Sequence, residues 1–155
     1  MHKRILAILF LGTLLATVAG LADERQEPQQ PPDGTPRFEA WDLRIDAGAN
    51  RLAAYQVELS YPPDRVKIVG LEGGETAAFK NAPYYDPAGM EGGRIIIAAF
   101  ATDDDAAPAG KTRVARVHVQ VTGGTEPGLQ TKVVVAAQPG GAQIGVETEL
   151  TRSVK

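Results

Sequence analysis

The chain has 155 residues, 43% hydrophobic and 23% charged, with a formal net charge of −3. This ordinary globular balance excludes a collagen-like or wholly disordered polymer. There is no cysteine, which excludes disulfide frameworks, thiol nucleophiles and cysteine-held zinc. Histidine is confined to His2 and His118 and serine to Ser60 and Ser153, so groups that carry nucleophilic catalysis are scarce.

The N-terminus begins with the cationic stretch Met1-His2-Lys3-Arg4, followed by an uncharged apolar run from Ile5 to Ala19 and by Gly20-Leu21-Ala22 before Asp23. A basic start, a short apolar centre and a small-x-small end read as a secretory signal peptide over residues 1–22. The run is shorter than the roughly 20 apolar residues of a membrane span, and Gly12, Thr13 and Thr17 dilute it. Cleavage after Ala22 is expected, giving an exported protein, periplasmic or extracellular, with no membrane attachment. Cleavage removes Lys3 and Arg4 and no acid, which takes the formal charge to −5. That balance argues against nucleic acid, whose phosphates need a basic stripe, and against anionic lipid. Residues 23–36, DERQEPQQPPDGTP, have four prolines, three glutamines and no aliphatic side chain, and are expected to form a disordered Pro/Gln-rich segment.

Residues 37–155 form the expected single folded domain. Period-2 alternation recurs: Trp41, Leu43 and Ile45; then Tyr55, Val57, Leu59 and Tyr61; later Ala115, Val117, Val119 and Val121. Each reads as a strand with one wet face. Val66–Leu71, Ile95–Phe100 and Val133–Ala137 are continuous β-branched and apolar runs, which suit strands covered on both faces or lying in a sandwich core. Ile144–Leu150 completes the series. Glycine, proline and Asn/Asp turns separate the runs, among them Pro62-Pro63-Asp64, Gly73-Gly74 and Gly92-Gly93. Seven or eight such strands without a helical pattern predict an all-β, antiparallel β-sandwich, of immunoglobulin-like or jelly-roll topology.

Tyr55-Gln56-Val57-Glu58-Leu59-Ser60-Tyr61-Pro62-Pro63-Asp64-Arg65-Val66 resembles the second-strand signature of cohesin domains. Val69-Gly70-Leu71-Glu72-Gly73-Gly74, Gly93 through Phe100, and Gly110 followed by Val114 through Val121 are similar to later strands of that family. The resemblance covers roughly residues 38–150. It implies a nine-stranded jelly-roll sandwich that binds dockerin modules in secreted, polysaccharide-degrading assemblies. The position matching Gln56 is often an acidic or Asn-like contact residue in that family, and here it is a neutral amide.

Candidate sites follow from these strands. The outward positions Gln56, Glu58 and Ser60 on one strand and Arg116, His118 and Gln120 on another form a partner-binding face if their strands are neighbours. Tyr84 and Tyr85, in the proline-bracketed loop Asn81–Pro87, offer ring faces for a sugar and define a carbohydrate-binding alternative. Asp103-Asp104-Asp105 is the densest acidic run, but it lacks the alternate-residue spacing of a calcium loop and reads as a solvated acidic turn. Ser60 and His118 are the sole serine–histidine combination within the folded body, without a nucleophile elbow. The expectation is a non-catalytic binding module without cofactor or metal, whose partner is a secreted protein or a polysaccharide.

Overall fold

The computed structural model describes residues 34–124 and 126–153. The signal-peptide reading of residues 1–22 and nearly all of the Pro/Gln-rich segment lie outside that range. Eight strands occur among the described residues: β1 (Pro36–Arg51), β2 (Ala54–Ser60), β3 (Val66–Gly73), β4 (Tyr84–Tyr85), β5 (Arg94–Phe100), β6 (Ala109–Thr122), β7 (Gln130–Ala137) and β8 (Glu147–Arg152). Three short 3-10 turns, at Ala77–Phe79, Pro87–Glu91 and Asp104–Ala106, stand between strands. A first sheet runs β3-β6-β1-β8 and a second runs β4-β5-β2-β7, with every pairing antiparallel. The predicted antiparallel β-sandwich is therefore the fold, with eight strands where nine were implied.

The chain crosses between sheets at almost every connection, and only β4 and β5 follow one another within a sheet. Alternation along the strands builds the core: Leu43 and Ile45 from β1, Tyr55, Val57 and Leu59 from β2, Ile95 and Ile97 from β5, and Val117, Val119 and Val121 from β6 are all buried. Burying each such side chain is worth about 1.5–3 kcal/mol, so the inward rows decide which way every strand faces. Tyr55 and Tyr61 belong to these rows, as their alternation predicts. The Tyr55 hydroxyl crosses the core to donate to the carbonyl of Val114 at 3.2 Å, and its ring meets Phe79 edge-to-face at 5.3 Å.

Two glycine pairs shape the connections. Gly93 adopts φ +74, and its carbonyl accepts from the Tyr61 N–H at 2.8 Å, so a left-handed residue carries the chain into β5. Gly73 lets the 77–81 segment close over the sheet, because a Cβ there would stand 2.1 Å from the Lys80 carbonyl oxygen. That close approach seats Phe79 in the core.

Candidate functional site

The sandwich topology sorts the predicted partner face into two separate surfaces. β2 lies in the second sheet and β6 in the first, so Gln56, Glu58 and Ser60 point outward on one side of the molecule and Arg116, His118 and Gln120 on the other. The six residues do not share a face, and the expectation that their strands are neighbours is corrected. Ser60 and His118 are separated in the same way.

On the first sheet the outward charged side chains of β1 and β6 pair across the strands. Asp42 and Arg116 sit opposite in the β1–β6 register, and the guanidinium forks onto the carboxylate at 2.7 and 3.4 Å. This hydrogen bond raises the Arg116 pKa further above its ordinary value. Arg44 and Arg113 approach the same carboxylate at 3.7 and 3.9 Å. Asp42 is only 7% exposed, so it is the buried centre of a cationic trio. His118 Nε2 lies 2.9 Å from Glu72 Oε1 on β3. At the strand ends, Glu39 meets Arg37 at 2.6 Å and Arg152 at 3.3 Å, and accepts from the Trp41 indole N–H at 2.9 Å.

The second sheet is different. Outward positions on β5 are Arg94, Ile96, Ala98 and Phe100, and they oppose Ser60, Glu58, Gln56 and Ala54 on β2. Val135 and Lys132 on β7 flank Gln56 and Glu58 from the other side, and Tyr84 on β4 flanks Ala98. Phe100 is 72% exposed, Tyr84 76% and Val134 50%. Among the described residues the face carries one ion pair, Glu58 to Arg94 at 2.7 Å.

The apolar runs Ile95–Phe100 and Val133–Ala137 are thus strands of a core with one side left open. Their inward residues pack as expected, while on the outward side Phe100 and Val134 are exposed and Ile96, Ala98 and Val135 are half-buried. Phe100, Ile96 and Ala98 were missed as site residues for that reason. The signal was present: an unbroken apolar strand in a folded body whose sequence shows no helical pattern to lay over it.

Tyr84 and Tyr85 form a two-residue edge strand, where a loop was expected. Tyr85 pairs with Ile97, whose side chain is buried, so the two rings point to opposite sides of the sheet. Tyr84 instead shares the exposed face with Phe100. Asp103-Asp104-Asp105 forms a self-capped 3-10 turn in which the Asp103 carboxylate accepts from the Asp105 N–H at 2.9 Å. Among the described residues no cluster of three histidine, cysteine or acidic side chains could hold a metal ion.

No protein-family profile matches the chain, and no curated protein matches it in sequence. Solved structures do match in fold. A type I cohesin–dockerin complex from Clostridium thermocellum aligns with TM-score 0.55 at 10% identity, over 73% of this chain and 83% of that one. A non-cellulosomal cohesin from the archaeon Archaeoglobus fulgidus aligns with TM-score 0.53 at 19% identity, over 80% and 84%. A type I cohesin from Pseudobacteroides cellulosolvens aligns with TM-score 0.51 at 12% identity, over 69% and 73%. The fold is that of the cohesin domains, as the strand resemblance implied.

Proposed function

We propose that this protein is an exported, non-catalytic recognition module that binds a protein partner on the outer face of its second sheet, the partner being a dockerin-type module or another secreted protein of a polysaccharide-degrading system. The observation that carries the reading is the apolar surface on which Tyr84 and Phe100 are exposed and Ile96, Ala98 and Val135 are half-buried, framed by Glu58 and Arg94. Apolar surface of this kind, ringed by polar groups, gains free energy when a partner removes it from water. The neighbours in fold include a cohesin held in complex with a dockerin, which supports the same use here.

The test is a binding assay of the purified protein against a panel of recombinant dockerin modules and secreted partners, with and without Ca²⁺. Ile96→Asp on the open face is expected to abolish binding, while Arg116→Gln on the opposite face leaves it intact. Equal loss in both variants, or none in either, would overturn the assignment to the second sheet.

A second reading, carbohydrate recognition through Tyr84 and Tyr85, is altered by the orientation of the rings. Tyr84 and Phe100, both on the open face, are the pair able to meet a sugar together. Retention on polysaccharide that disappears with Tyr84→Ala and Phe100→Ala would favour this reading over the first.

A further inference from the structure

The second sheet ends in a hollow. Where β2 begins and β5 ends, the segment around Ala77–Ala82 and the turn around Thr102–Ala106 bound a space of about 850 Å³. Tyr84 and Phe100 both line it, and both rings are largely exposed. Tyr84 opposes Ala98 across the β4–β5 ladder, two residues before Phe100 on the same outward row. Such diagonal neighbours stand about 7–8 Å apart. That is two carbon–carbon contacts of about 3.5–4.0 Å laid end to end, so the rings leave a slot one ring thick above Ala98. Around the slot stand polar groups that an apolar ligand would not use: the amides of Gln56 and Asn81, the Thr102 hydroxyl, the Lys80 ammonium and the Asp103 carboxylate. Among the described residues, none of the first four spends its side chain on another group of the protein. Asp103 uses one oxygen on the Asp105 N–H, which leaves the other able to accept.

We infer that the hollow takes the terminal pyranose of a neutral glycan chain, held between Tyr84 and Phe100, an inference that rests on the carbohydrate reading given above. A sugar clamped on both faces must be apolar on both. Pyranoses of gluco and xylo configuration, whose substituents are all equatorial, turn axial C–H bonds to either side. An axial hydroxyl, as in galactose, would press an unpaired oxygen against one ring. The equatorial hydroxyls point outward from the sugar's edge, where the two amides, Thr102, Lys80 and Asp103 can pair with them. Asp104 and Asp105 follow Asp103 in the turn, and Arg51 donates to the Asp104 carbonyl and lies 3.9 Å from the Asp105 carboxylate. Three carboxylates against Arg51 and Lys80 leave the border net acidic, which turns away a uronic acid. The 77–82 segment and the 102–106 turn close the hollow at the end of the sheet. A chain lying along the face stops there, and its last unit is the one enclosed.

Titration calorimetry of the purified protein with cellotriose, cellohexaose and soluble β-glucan tests this, with galacto-oligosaccharides and oligogalacturonate as controls. A site for chain ends is expected to give the same molar affinity for all three glucans, whereas a site for chain interiors gains affinity with every added unit. Both controls are expected to bind about tenfold or more weakly. Tyr84→Ala and Phe100→Ala should each weaken cellotriose binding about five- to tenfold. Asn81→Ala should weaken it about threefold through lost hydrogen bonds, and Ala98→Phe, which fills the slot from below, should abolish it. Ile96→Asp, outside the lining of the hollow, should leave it unchanged while abolishing capture of a protein partner. Thermal melts establish that each variant folds. Molar affinity that climbs with chain length, equal binding of either control, or unchanged binding in both ring variants would overturn the inference. If β-glucan binding grows with length and disappears when Tyr84→Ala and Phe100→Ala are combined, the carbohydrate reading stands and the terminal site falls. If no saccharide binds, both fall.

Discussion

The two outer faces of the sandwich are built on the same core and solve opposite problems. The first sheet places Asp42, Arg44, Arg113 and Arg116 so that every charge has a partner within the sheet. Its exposed apolar side chains, Phe38 and Val69, lie on different strands with β6 between them. Among the described residues the second sheet has a single outward ion pair, and Tyr84, Phe100 and Val134 stay exposed on it. The contrast separates a face whose charges are paired from one that leaves apolar side chains in water. A face that satisfies itself gains little from a partner, whereas one that leaves phenyl and phenol rings in water gains from losing it.

The largest effect is expected where the closed face is opened. Asp42→Ala removes the carboxylate at the centre of three guanidiniums, of which only that of Arg113 is well covered, and leaves like charges facing each other. Breaking a largely buried pair from one side costs about 3–5 kcal/mol; the partial exposure of Arg116 and Arg44 places this case near the lower end, about 3 kcal/mol. Urea denaturation measures it. Partner binding by the fraction that remains folded should be unchanged, because nothing on the second sheet touches Asp42.

The next effect concerns the joint between the faces. Gly73 ends β3 in the first sheet, and its missing Cβ is what lets the 77–81 segment pass close enough to seat Phe79 beside the end of the second sheet that bears Ala54 and Phe100. Gly73→Ala forces backbone apart, since the obstacle is a carbonyl and not a flexible side chain. A cost of about 2 kcal/mol in thermal unfolding is expected, together with weaker partner binding at the second sheet. A variant that loses stability but keeps partner binding would separate the two faces more cleanly than the structure does.

Much of the sandwich was legible in the sequence because alternation is a local property. The rows Tyr55-Val57-Leu59 and Ala115-Val117-Val119-Val121 announce their strands and their buried sides without reference to anything distant. What alternation does not encode is which strand lies beside which. β2 and β6 are separated by crossings between sheets, so the joint face of Gln56 with His118 had no local signature that could confirm or refuse it. The open face was hidden by an ambiguity of a different kind. An unbroken apolar run such as Ile95–Phe100 is the mark of a strand covered on both sides, and equally of one whose second cover is another molecule. Tyr84-Tyr85 was read as a loop because two residues between prolines are too short for any period to show. The Phe79 plug depends on a backbone approach permitted by Gly73, which composition alone reads as a turn.

Alkaline solution probes what holds the faces together. Burial pushes the Tyr55 phenol well above its ordinary pKa of 10.0. Below that pH both folded and unfolded chains keep the proton and stability is complete. Above it the unfolded chain releases the proton while the folded one retains it, so stability falls as pH rises past 10. Tyr61 shifts in the same direction, through burial opposed in part by a backbone hydrogen bond at Gly93. Tyr55→Phe should cost about 1 kcal/mol at neutral pH through the lost bond to Val114, and should make the alkaline decline shallower. Both changes are read from denaturation midpoints between pH 8 and 11. Because Tyr55 ties the second sheet to the first, both faces should be lost in one transition.

The smallest effect is the one on which the contrast depends most. Glu58 and Arg94 make a close contact at 2.7 Å, as close as the Asp42–Arg116 fork, so distance alone would rank the two pairs as equals. Exposure ranks them differently. The Arg94 side chain is 63% exposed against 30% for Arg116, so water and salt screen it more strongly than the pair at Asp42. Glu58→Ala should therefore change unfolding free energy by less than about 1 kcal/mol, and the change should shrink in high salt. The same substitution lies on the border of the proposed recognition surface, where a partner would exclude that water. Its effect on partner affinity should exceed its effect on stability. If Glu58→Ala instead destabilises the fold as much as Asp42→Ala does, the polar groups of the second sheet are structural too, and the asymmetry between the faces is one of composition without consequence for binding.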